Sequence, residues 1–169
     1  MRFACILLAA AAASAQVKAP RPAPEFQVVE PSGRTAKLSS YRGDVVLLAF
    51  IVTGCSHCQA ATKEFEKLQA DFGRRGFRAA AVAFDENADV ARYVARFGIT
   101  FPVGRTSPDE MRAFLGIPRD QRIATPQVVL INRIGIIRAQ SAPEGTPMLQ
   151  SPDVLRALIE ALLGRHSVL

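Results

Sequence analysis

Residues 45–58 read VVLLAFIVTGCSHC, an apolar run that ends in a short turn before two cysteines separated by two residues. The apolar run has the length and the Val, Leu and Ile content of a buried strand. After Cys58, apolar residues recur at helical spacing, and Gly73 follows where it could end the helix. The sequence therefore predicts that the cysteine pair lies where a central strand meets a helix N-terminus.

A helix N-terminus favours an anion, because its first N–H groups are unpaired and its dipole is positive there, and this lowers the pKa of a thiol. Cys55 comes first, so we expect it to be the exposed nucleophile. Cys58 lies one helical turn later and faces inward, so it is placed to resolve a mixed disulfide formed on Cys55. Ser56 and His57 lie between them, and the His57 imidazole is a candidate to stabilise the Cys55 thiolate. The alternative is an exposed His57 without a role.

Half of a zinc site is the competing interpretation of the cysteine pair. Structural zinc needs four ligands, often from a second CxxC or two histidines. The sequence offers Cys5 near its start, His57, and His166 in the C-terminal tail. We therefore predict no metal and no bound cofactor.

The composition indicates one globular domain. The chain has 169 residues, of which 49% are hydrophobic, and a net charge of +6. Its basic residues are scattered, and two Tyr and no Trp are available to stack on bases. Nucleic-acid binding is therefore disfavoured, and we expect a monomer with a solvated surface.

The first fifteen residues have the pattern of a signal peptide. Arg2 is followed by the apolar segment Ala4–Ala13, and Ala13-Ser14-Ala15 fits the small-residue cleavage rule, so we place the cut after Ala15. The segment is too short to span a bilayer, which needs about 20 apolar residues. Lipid attachment at Cys5 is a weaker alternative. We predict a periplasmic or secreted protein, without a membrane span after cleavage, in an oxidising compartment.

The rest of the chain divides into three parts. Residues 16–25 are rich in Pro and Ala and are predicted to be a flexible lead-in. Residues 26–164 are predicted to form the domain, and residues 165–169 a tail. The domain is expected to begin with a small hairpin over Phe26–Val29 and Thr35–Leu38, with Gly33 in its turn.

The spacing of apolar residues predicts the remaining strands and helices. Phe77–Phe84 should be a strand parallel to the first, because a helix connects them. The other predicted elements are a helix over Ala88–Phe97 with Val90, Val94 and Phe97 on one face, a strand over Ile99–Val103 placed at an edge because of Pro102, a helix over Asp109–Leu115, an antiparallel hairpin of Val128–Ile131 and Ile136–Ala139, and a last helix from Pro152 whose buried stripe is Val154, Leu155, Leu158, Ile159 and Leu162.

The chain resembles the thioredoxin superfamily, specifically the exported TlpA/ResA-like thiol-disulfide oxidoreductases, which are redoxins related to AhpC/TSA. The resemblance covers roughly residues 26–163. It rests on Leu38-Ser39-Ser40-Tyr41-Arg42-Gly43 before the first strand, Cys55-Ser56-His57-Cys58, Phe101-Pro102-Val103, Ala124-Thr125-Pro126, and Leu130-Ile131-Asn132-Arg133-Ile134-Gly135.

The resemblance implies an α/β, thioredoxin-like three-layer fold. A central mixed β-sheet would be flanked by helices, with an N-terminal hairpin and a βα insert formed by Ala88–Phe97 and Ile99–Val103. It implies a cis bond between Thr125 and Pro126, packed against Cys55, with the Thr125 backbone available to a substrate chain. The alternative is an ordinary proline that opens a strand.

The resemblance also implies a function. It predicts exchange of the Cys55–Cys58 dithiol or disulfide with protein partners in the cell envelope, and a membrane or soluble redox partner that recycles the pair. Because the family member DsbA, with a thiol pKa of about 3.5, also has His before its second cysteine, we expect a pair more oxidising than that of thioredoxin. The direction of electron flow stays open.

Three positions depart from the family pattern. Gly54 stands where the family usually has Trp, Ile51 where another aromatic is common, and Ala49 where thioredoxin has a buried Asp. The site is therefore expected to lack an aromatic cover and that proton-accepting carboxylate.

Two other functions remain as alternatives. A peroxiredoxin-like peroxidase would use Cys55 to attack peroxide, but that family needs Thr three residues earlier, where Val52 stands and Thr53 is displaced by one. A copper chaperone resembling the SCO proteins would need CxxxC and a distant histidine, whereas the spacing here is CxxC and His166 lies in the tail.

Overall fold

The computed structural model describes residues 19–164. The strands are β1 (Arg21–Pro22), β2 (Gln27–Val29), β3 (Thr35–Lys37), β4 (Val45–Ile51), β5 (Phe77–Ala83), β6 (Val103–Arg105), β7 (Gln127–Ile131) and β8 (Ile136–Gln140), and the α-helices are α1 (Ser56–Phe72), α2 (Val90–Phe97), α3 (Pro108–Leu115) and α4 (Pro152–Gly164). The predicted signal peptide with its cut after Ala15, and the predicted tail of residues 165–169, lie outside the described residues.

The main sheet is mixed and follows the order β1-β8-β7-β4-β5-β6. Strand β4 pairs parallel with β5 and antiparallel with β7, so it lies at the centre. Strands β2 and β3 form a separate antiparallel hairpin. The predicted thioredoxin-like α/β architecture is confirmed, including the hairpin and the parallel strand–helix–strand unit.

The three layers follow from the alternation of side chains along β4, which is buried on both faces because its run is apolar throughout. Leu47, Ala49 and Ile51 face α1, α2 and α4. Leu48 and Phe50 face α3 and the β2–β3 hairpin. On that second face the ring of Phe50 lies 5.5 Å from that of Phe26 and 5.5 Å from that of Phe114. Burying each such ring contributes about 1.5–3 kcal/mol.

Part of the predicted lead-in differs from expectation, because two of its residues join the sheet. Arg21 and Pro22 pair antiparallel with Ile137 and Ile136 and form the edge strand β1. The Arg21 guanidinium donates to the carbonyl of Phe114 at 2.9 Å and to Gln140 Oε1 at 2.7 Å. An edge strand tolerates proline, so the proline-rich composition did not reveal this pairing.

The end of the first helix and the start of the second also differ from the prediction. Gly73 has right-handed helical backbone and continues into a short 3₁₀ turn. The left-handed residue that ends this segment is Gly76, with φ of 88°. Helix α2 begins at Val90 rather than residue 88, because the Asp89 side chain caps it by accepting from the Arg92 N–H.

The buried faces of two helices differ from the predicted stripes. In α2, Tyr93 is buried with Val90, whereas Val94 and Phe97 are only partly buried. In α4 the buried residues are Leu155, Ile159 and Leu163, and Leu158 and Leu162 are partly buried.

The edge strand β6 was predicted two to four residues too early, at Ile99–Val103. The Ile99 N–H instead donates to the carbonyl of Val94 at the end of α2, and Phe101 packs into the core. The edge position itself is as predicted.

Candidate active site

Cys55 is the N-cap residue of α1, immediately beyond the end of β4. Its backbone is extended, with φ of −80° and ψ of 122°, and its Sγ accepts from the Cys58 N–H at 3.4 Å. A side chain that accepts from the first helical turn satisfies one of the unpaired N–H groups there. The partly exposed sulfur therefore lies where a helix N-terminus favours a hydrogen-bond acceptor or an anion.

Cys58 lies below Cys55 and is fully buried, and both are free thiols in the structure. Burial raises the pKa of Cys58 to about 12. The two thiols therefore suit different roles. Cys55 is accessible, as a nucleophile must be, whereas Cys58 is buried and neutral, as expected of a resolving thiol.

The segment before β7 reaches the same site. Strand β7 runs antiparallel to β4, and Gln127 pairs with Phe50 near the end of β4 from which Cys55 follows. The Thr125–Pro126 peptide bond is cis, Pro126 is buried, and the Thr125 hydroxyl donates to Cys55 Sγ at 3.4 Å. The antiparallel pairing is thus what brings this distant segment against Cys55.

The pKa of Cys55 is lowered although its partial burial acts to raise it. Hydrogen bonds from the Thr125 hydroxyl, from Cys58 and from the backbone of His57 outweigh that desolvation. Each stabilises the thiolate more than the thiol. The lowered pKa thus has its causes in neighbouring donors, of which Thr125 is the largest.

The remaining site residues named from the sequence lie at the surface beside the pair. Ser56 and His57 are exposed in the first turn of α1, and Gly54 is exposed in the turn before it. The His57 contribution to the pKa of Cys55 comes from its backbone rather than its imidazole. No described atom outside its chain neighbours lies within 4 Å of where a Cβ on Gly54 would be, so the space beside Gly54 is open.

Sequence reasoning missed the residues that fix the turn before Cys55. Asp85, just beyond β5, accepts from both the N–H and the hydroxyl of Thr53, the former at 3.0 Å. Gln59 Nε2 donates to the Thr53 carbonyl at 2.9 Å. The available signal was topological, because parallel strands β4 and β5 end at the same edge and bring the residues that follow them together.

Gln127 fixes the segment that carries Thr125, and it too was missed. Its side-chain Nε2 donates to the carbonyls of Ala124 at 2.7 Å and Ala142 at 3.1 Å. The Ala124 N–H donates to the carbonyl of Pro143 at 2.7 Å. A buried amide thereby joins the loop after β8 to the loop that faces Cys55, and an apolar strand pattern gives no sign of this role.

Ala49, at the position where thioredoxin has a buried Asp, is part of the hydrophobic core. Ala49 is fully buried in the layer between β4 and α1. Glu64 pairs with Lys67 at 2.8 Å on the surface of α1. Neither position supplies a buried carboxylate to Cys58.

Within residues 19–164, no three or more His, Cys, Asp and Glu side chains are grouped to hold a metal ion. His166 lies outside the described residues. None of the helices in this part of the chain is both long and apolar enough to cross a bilayer.

Comparison with known proteins identifies the family. The model of the AhpC/TSA family matches residues 20–140, which is more than half of the chain. The chain belongs to the AhpC/TSA family. The match includes the cysteine pair and Thr125–Pro126, so the candidate site lies within the family region.

Two kinds of curated relative share this AhpC/TSA region. The chain is 28% identical over 117 residues to the thiol-disulfide oxidoreductase ResA of Geobacillus thermodenitrificans, covering 69% of this chain and 64% of that protein. It is 30% identical over 87 residues to "Probable glutathione peroxidase 8-B" of Xenopus laevis, covering 46% of this chain and 42% of that protein. The chain thus spans less than two thirds of the length of these relatives.

Solved structures confirm the fold of this AhpC/TSA protein. A candidate thiol:disulfide interchange protein DsbE from Chlorobium tepidum has a TM-score of 0.72 and 26% identity, covering 86% of this chain and 97% of that one. The thioredoxin domain of a thiol-disulfide oxidoreductase from Bacteroides vulgatus has a TM-score of 0.68 and 19% identity, covering 85% and 96%. The second likeness supports the fold alone.

Proposed function

We propose that this protein is a thiol-disulfide oxidoreductase that exchanges the Cys55–Cys58 dithiol or disulfide with protein partners. One observation carries the proposal, namely a partly exposed Cys55 sulfur that accepts, at a helix N-terminus, a hydrogen bond from the N–H of Cys58, whose own side chain is buried. The similarity to ResA and to the DsbE-type structure supports the same chemistry.

The exchange has two balanced steps. The Cys55 thiolate attacks one sulfur of a partner disulfide, a mixed disulfide forms, and the partner's other sulfur leaves as a thiolate that takes up a proton. Cys58 then loses its proton and attacks the Cys55 sulfur, closing the Cys55–Cys58 bond, while the partner's second sulfur leaves and is protonated. Two electrons pass to the partner, and the reverse sequence oxidises a partner dithiol.

Neighbouring donors prepare each sulfur for its step. The Thr125 hydroxyl and the Cys58 N–H stabilise the Cys55 thiolate and so lower its pKa. The raised pKa of Cys58 keeps that thiol protonated until Cys55 is engaged with a partner. The partly exposed first sulfur and the buried second one favour release of the partner by intramolecular attack.

The cellular setting belongs to the same proposal. The signal-peptide pattern that ends at Ala15 supports a periplasmic or secreted protein. Its partners would be thiols and disulfides of other envelope proteins, and a membrane or soluble protein would restore the pair. The exposed Gly54, next to Cys55 in the chain, leaves room for a bulky partner segment.

Trapping of a mixed disulfide tests the proposal. Reduced Cys58→Ser protein, mixed with a model protein that has a single accessible disulfide, should accumulate a covalent adduct through Cys55. Wild-type protein should reduce that disulfide and accumulate its own Cys55–Cys58 disulfide instead. Cys55→Ser protein is the control and should form no adduct. Absence of an adduct with Cys58→Ser, together with no exchange by wild type, would refute the proposed activity.

A thiol peroxidase is the second candidate, and the relatives named glutathione peroxidase favour it. Cys55 would attack one oxygen of hydrogen peroxide, the O–O bond would break with the other oxygen leaving as water, and Cys58 would convert the resulting sulfenic acid to a disulfide with loss of a second water. The apolar Val52 offers no hydroxyl to peroxide at the position where peroxiredoxins have Thr. Peroxide consumption coupled to a dithiol, measured against Cys55→Ser, separates the two functions.

A further inference from the structure

Two buried hydroxyl groups meet at the backbone carbonyl of Cys58. The Thr62 hydroxyl lies 2.9 Å from the Cys58 carbonyl oxygen and 2.8 Å from the Tyr93 hydroxyl. The Tyr93 hydroxyl itself lies 3.5 Å from the same carbonyl oxygen. Thr62 is 0% exposed and Tyr93 is 4% exposed, so these groups depend on each other for hydrogen bonding.

Counting protons fixes the direction of this small network. The Cys58 carbonyl can only accept, and each hydroxyl has one proton to donate. Either Thr62 donates to the carbonyl and Tyr93 donates to Thr62, or Tyr93 donates to the carbonyl and Thr62 donates to Tyr93. In both arrangements the chain of donors ends on Cys58. The network therefore donates to the carbonyl of Cys58, the residue that carries the resolving thiol.

The Tyr93 phenol also responds to charge on the sulfurs. Burial raises the pKa of Tyr93 to about 12, the hydrogen bond with Thr62 acts against this, and negative charge on Cys58 and Cys55 raises it further. An interaction that disfavours a phenolate near a thiolate acts equally in the other direction. A neutral phenol is therefore the form of Tyr93 that is compatible with a Cys55 thiolate.

The hydroxyl of Tyr93 is not needed to hold α1 against α2. Glu66 on α1 accepts from the Thr100 N–H at 2.9 Å, beyond the end of α2. The Lys63 ammonium lies 5.7 Å from the centre of the Phe97 ring. A phenylalanine at position 93 would keep the apolar contacts of the ring. The phenolic oxygen therefore calls for an explanation other than helix packing.

We propose that Tyr93 is a positioning residue, which acts through Thr62 on the Cys58 turn and stabilises the dithiol form of the Cys55–Cys58 pair relative to its disulfide. The inference rests on the proposed function and extends it by assigning a role to the βα insert that contributes α2. Oriented donors in a buried site act strongly, because no water screens them. By favouring the dithiol, they make the pair a better oxidant.

Matched substitutions test this role through the redox equilibrium with glutathione. Here oxidised glutathione and the dithiol form give the Cys55–Cys58 disulfide and two molecules of reduced glutathione. Tyr93→Phe and Thr62→Val should each shift the equilibrium constant threefold to tenfold toward the protein disulfide, where tenfold equals 29.6 mV. Thr62→Ser should stay within twofold of wild type because it keeps the hydroxyl.

Tyr41 provides the control, because it is the other tyrosine of the chain and packs on the opposite face of the sheet. Tyr41→Phe should leave the equilibrium constant unchanged. The double variant Tyr93→Phe with Thr62→Val should shift it by less than the product of the two single effects, since both substitutions break one network.

Two results distinguish failure of this inference from failure of the proposed function. If wild-type protein equilibrates with glutathione but Tyr93→Phe has the wild-type constant, Tyr93 has only a structural role and the inference is wrong. Equal losses of stability in the oxidised and reduced forms of Tyr93→Phe would lead to the same conclusion. If wild-type protein forms no Cys55–Cys58 disulfide at all, the proposed function itself fails.

Discussion

The Thr125 hydroxyl donates to the Cys55 sulfur across 3.4 Å, although the two residues are 70 positions apart in the chain. This contact joins the segment before β7 to the N-terminus of α1. It is also the largest of the hydrogen bonds that lower the pKa of Cys55. The nucleophilic character of Cys55 therefore depends on two elements that only the folded chain brings together.

Removing this hydroxyl should make Cys55 less reactive. Thr125→Val is expected to slow alkylation of Cys55 near pH 6 by about threefold to tenfold, because a net hydrogen bond is worth about 0.5–1.5 kcal/mol. Alkylation rates measured against pH in the Cys58→Ser background isolate the one thiol. Thr125→Ser keeps the donor and should react like wild type. Equal rates for the Val and Ser variants would contradict the assignment.

The stability of the reduced protein should depend on pH through Cys58. Its folded-state pKa of about 12 lies above the ordinary value of 9.0, so its contribution is present below about pH 9 and is lost as pH rises toward 12. Denaturant unfolding between about pH 8 and pH 11 should therefore show wild type losing stability relative to Cys58→Ser. A difference that stays constant over this range would exclude burial of a neutral Cys58 thiol.

Cys55 should have the opposite effect at lower pH. Its folded-state pKa is lowered from 9.0, so its contribution is present above that value and is lost as pH falls through the folded-state pKa. Reduced wild type should thus gain stability relative to Cys55→Ser as pH rises toward 9. Unfolding of both proteins over the same pH series checks the sign, and a falling difference would be inconsistent with a stabilised thiolate.

Asp85 should stabilise the turn that precedes Cys55. Asp85→Asn replaces one of the two acceptor oxygens that face Thr53 with an amide nitrogen. The free energy of unfolding should fall by about 1.5–3 kcal/mol, the usual range for a hydrogen bond to a charged group. Asp120→Asn, an exposed substitution, is the control and should change it by less than about 0.5 kcal/mol. Similar values for both variants would show that the turn does not depend on Asp85.

The open space above Gly54 should affect the choice of partner. The backbone of Gly54 is not left-handed and no described atom blocks a Cβ there, so Gly54→Trp should change stability by less than about 0.5 kcal/mol. It should slow exchange with a folded protein disulfide about fivefold, equivalent to about 1 kcal/mol, and change exchange with oxidised glutathione by less than twofold. Gly54→Ala is the matched control. Equal slowing with both disulfides would show that Trp acts on Cys55 itself.

Much of the fold was predictable because local patterns agree with the final structure. The run that became β4, the helix that contains Cys58 and the hairpin around Gly33 each carry their signal in a few consecutive residues. The errors occurred where a partner distant in sequence decides the outcome. Arg21–Pro22 becomes a strand because β8 pairs with it, and Tyr93 is buried because Thr62 and the Cys58 carbonyl lie opposite it.

The sequence by itself determined the strand, the helix that follows it and the position of Cys55 and Cys58 at their junction, because spacing and apolar periodicity are local properties. Only the tertiary structure decided which groups surround the two sulfurs. Thr125, Asp85 and Tyr93 reach the site from three other segments, and hydrogen bonds act only over about 3 Å. Their roles therefore exist only after β4 has paired with β5 and β7 and α2 has packed against α1.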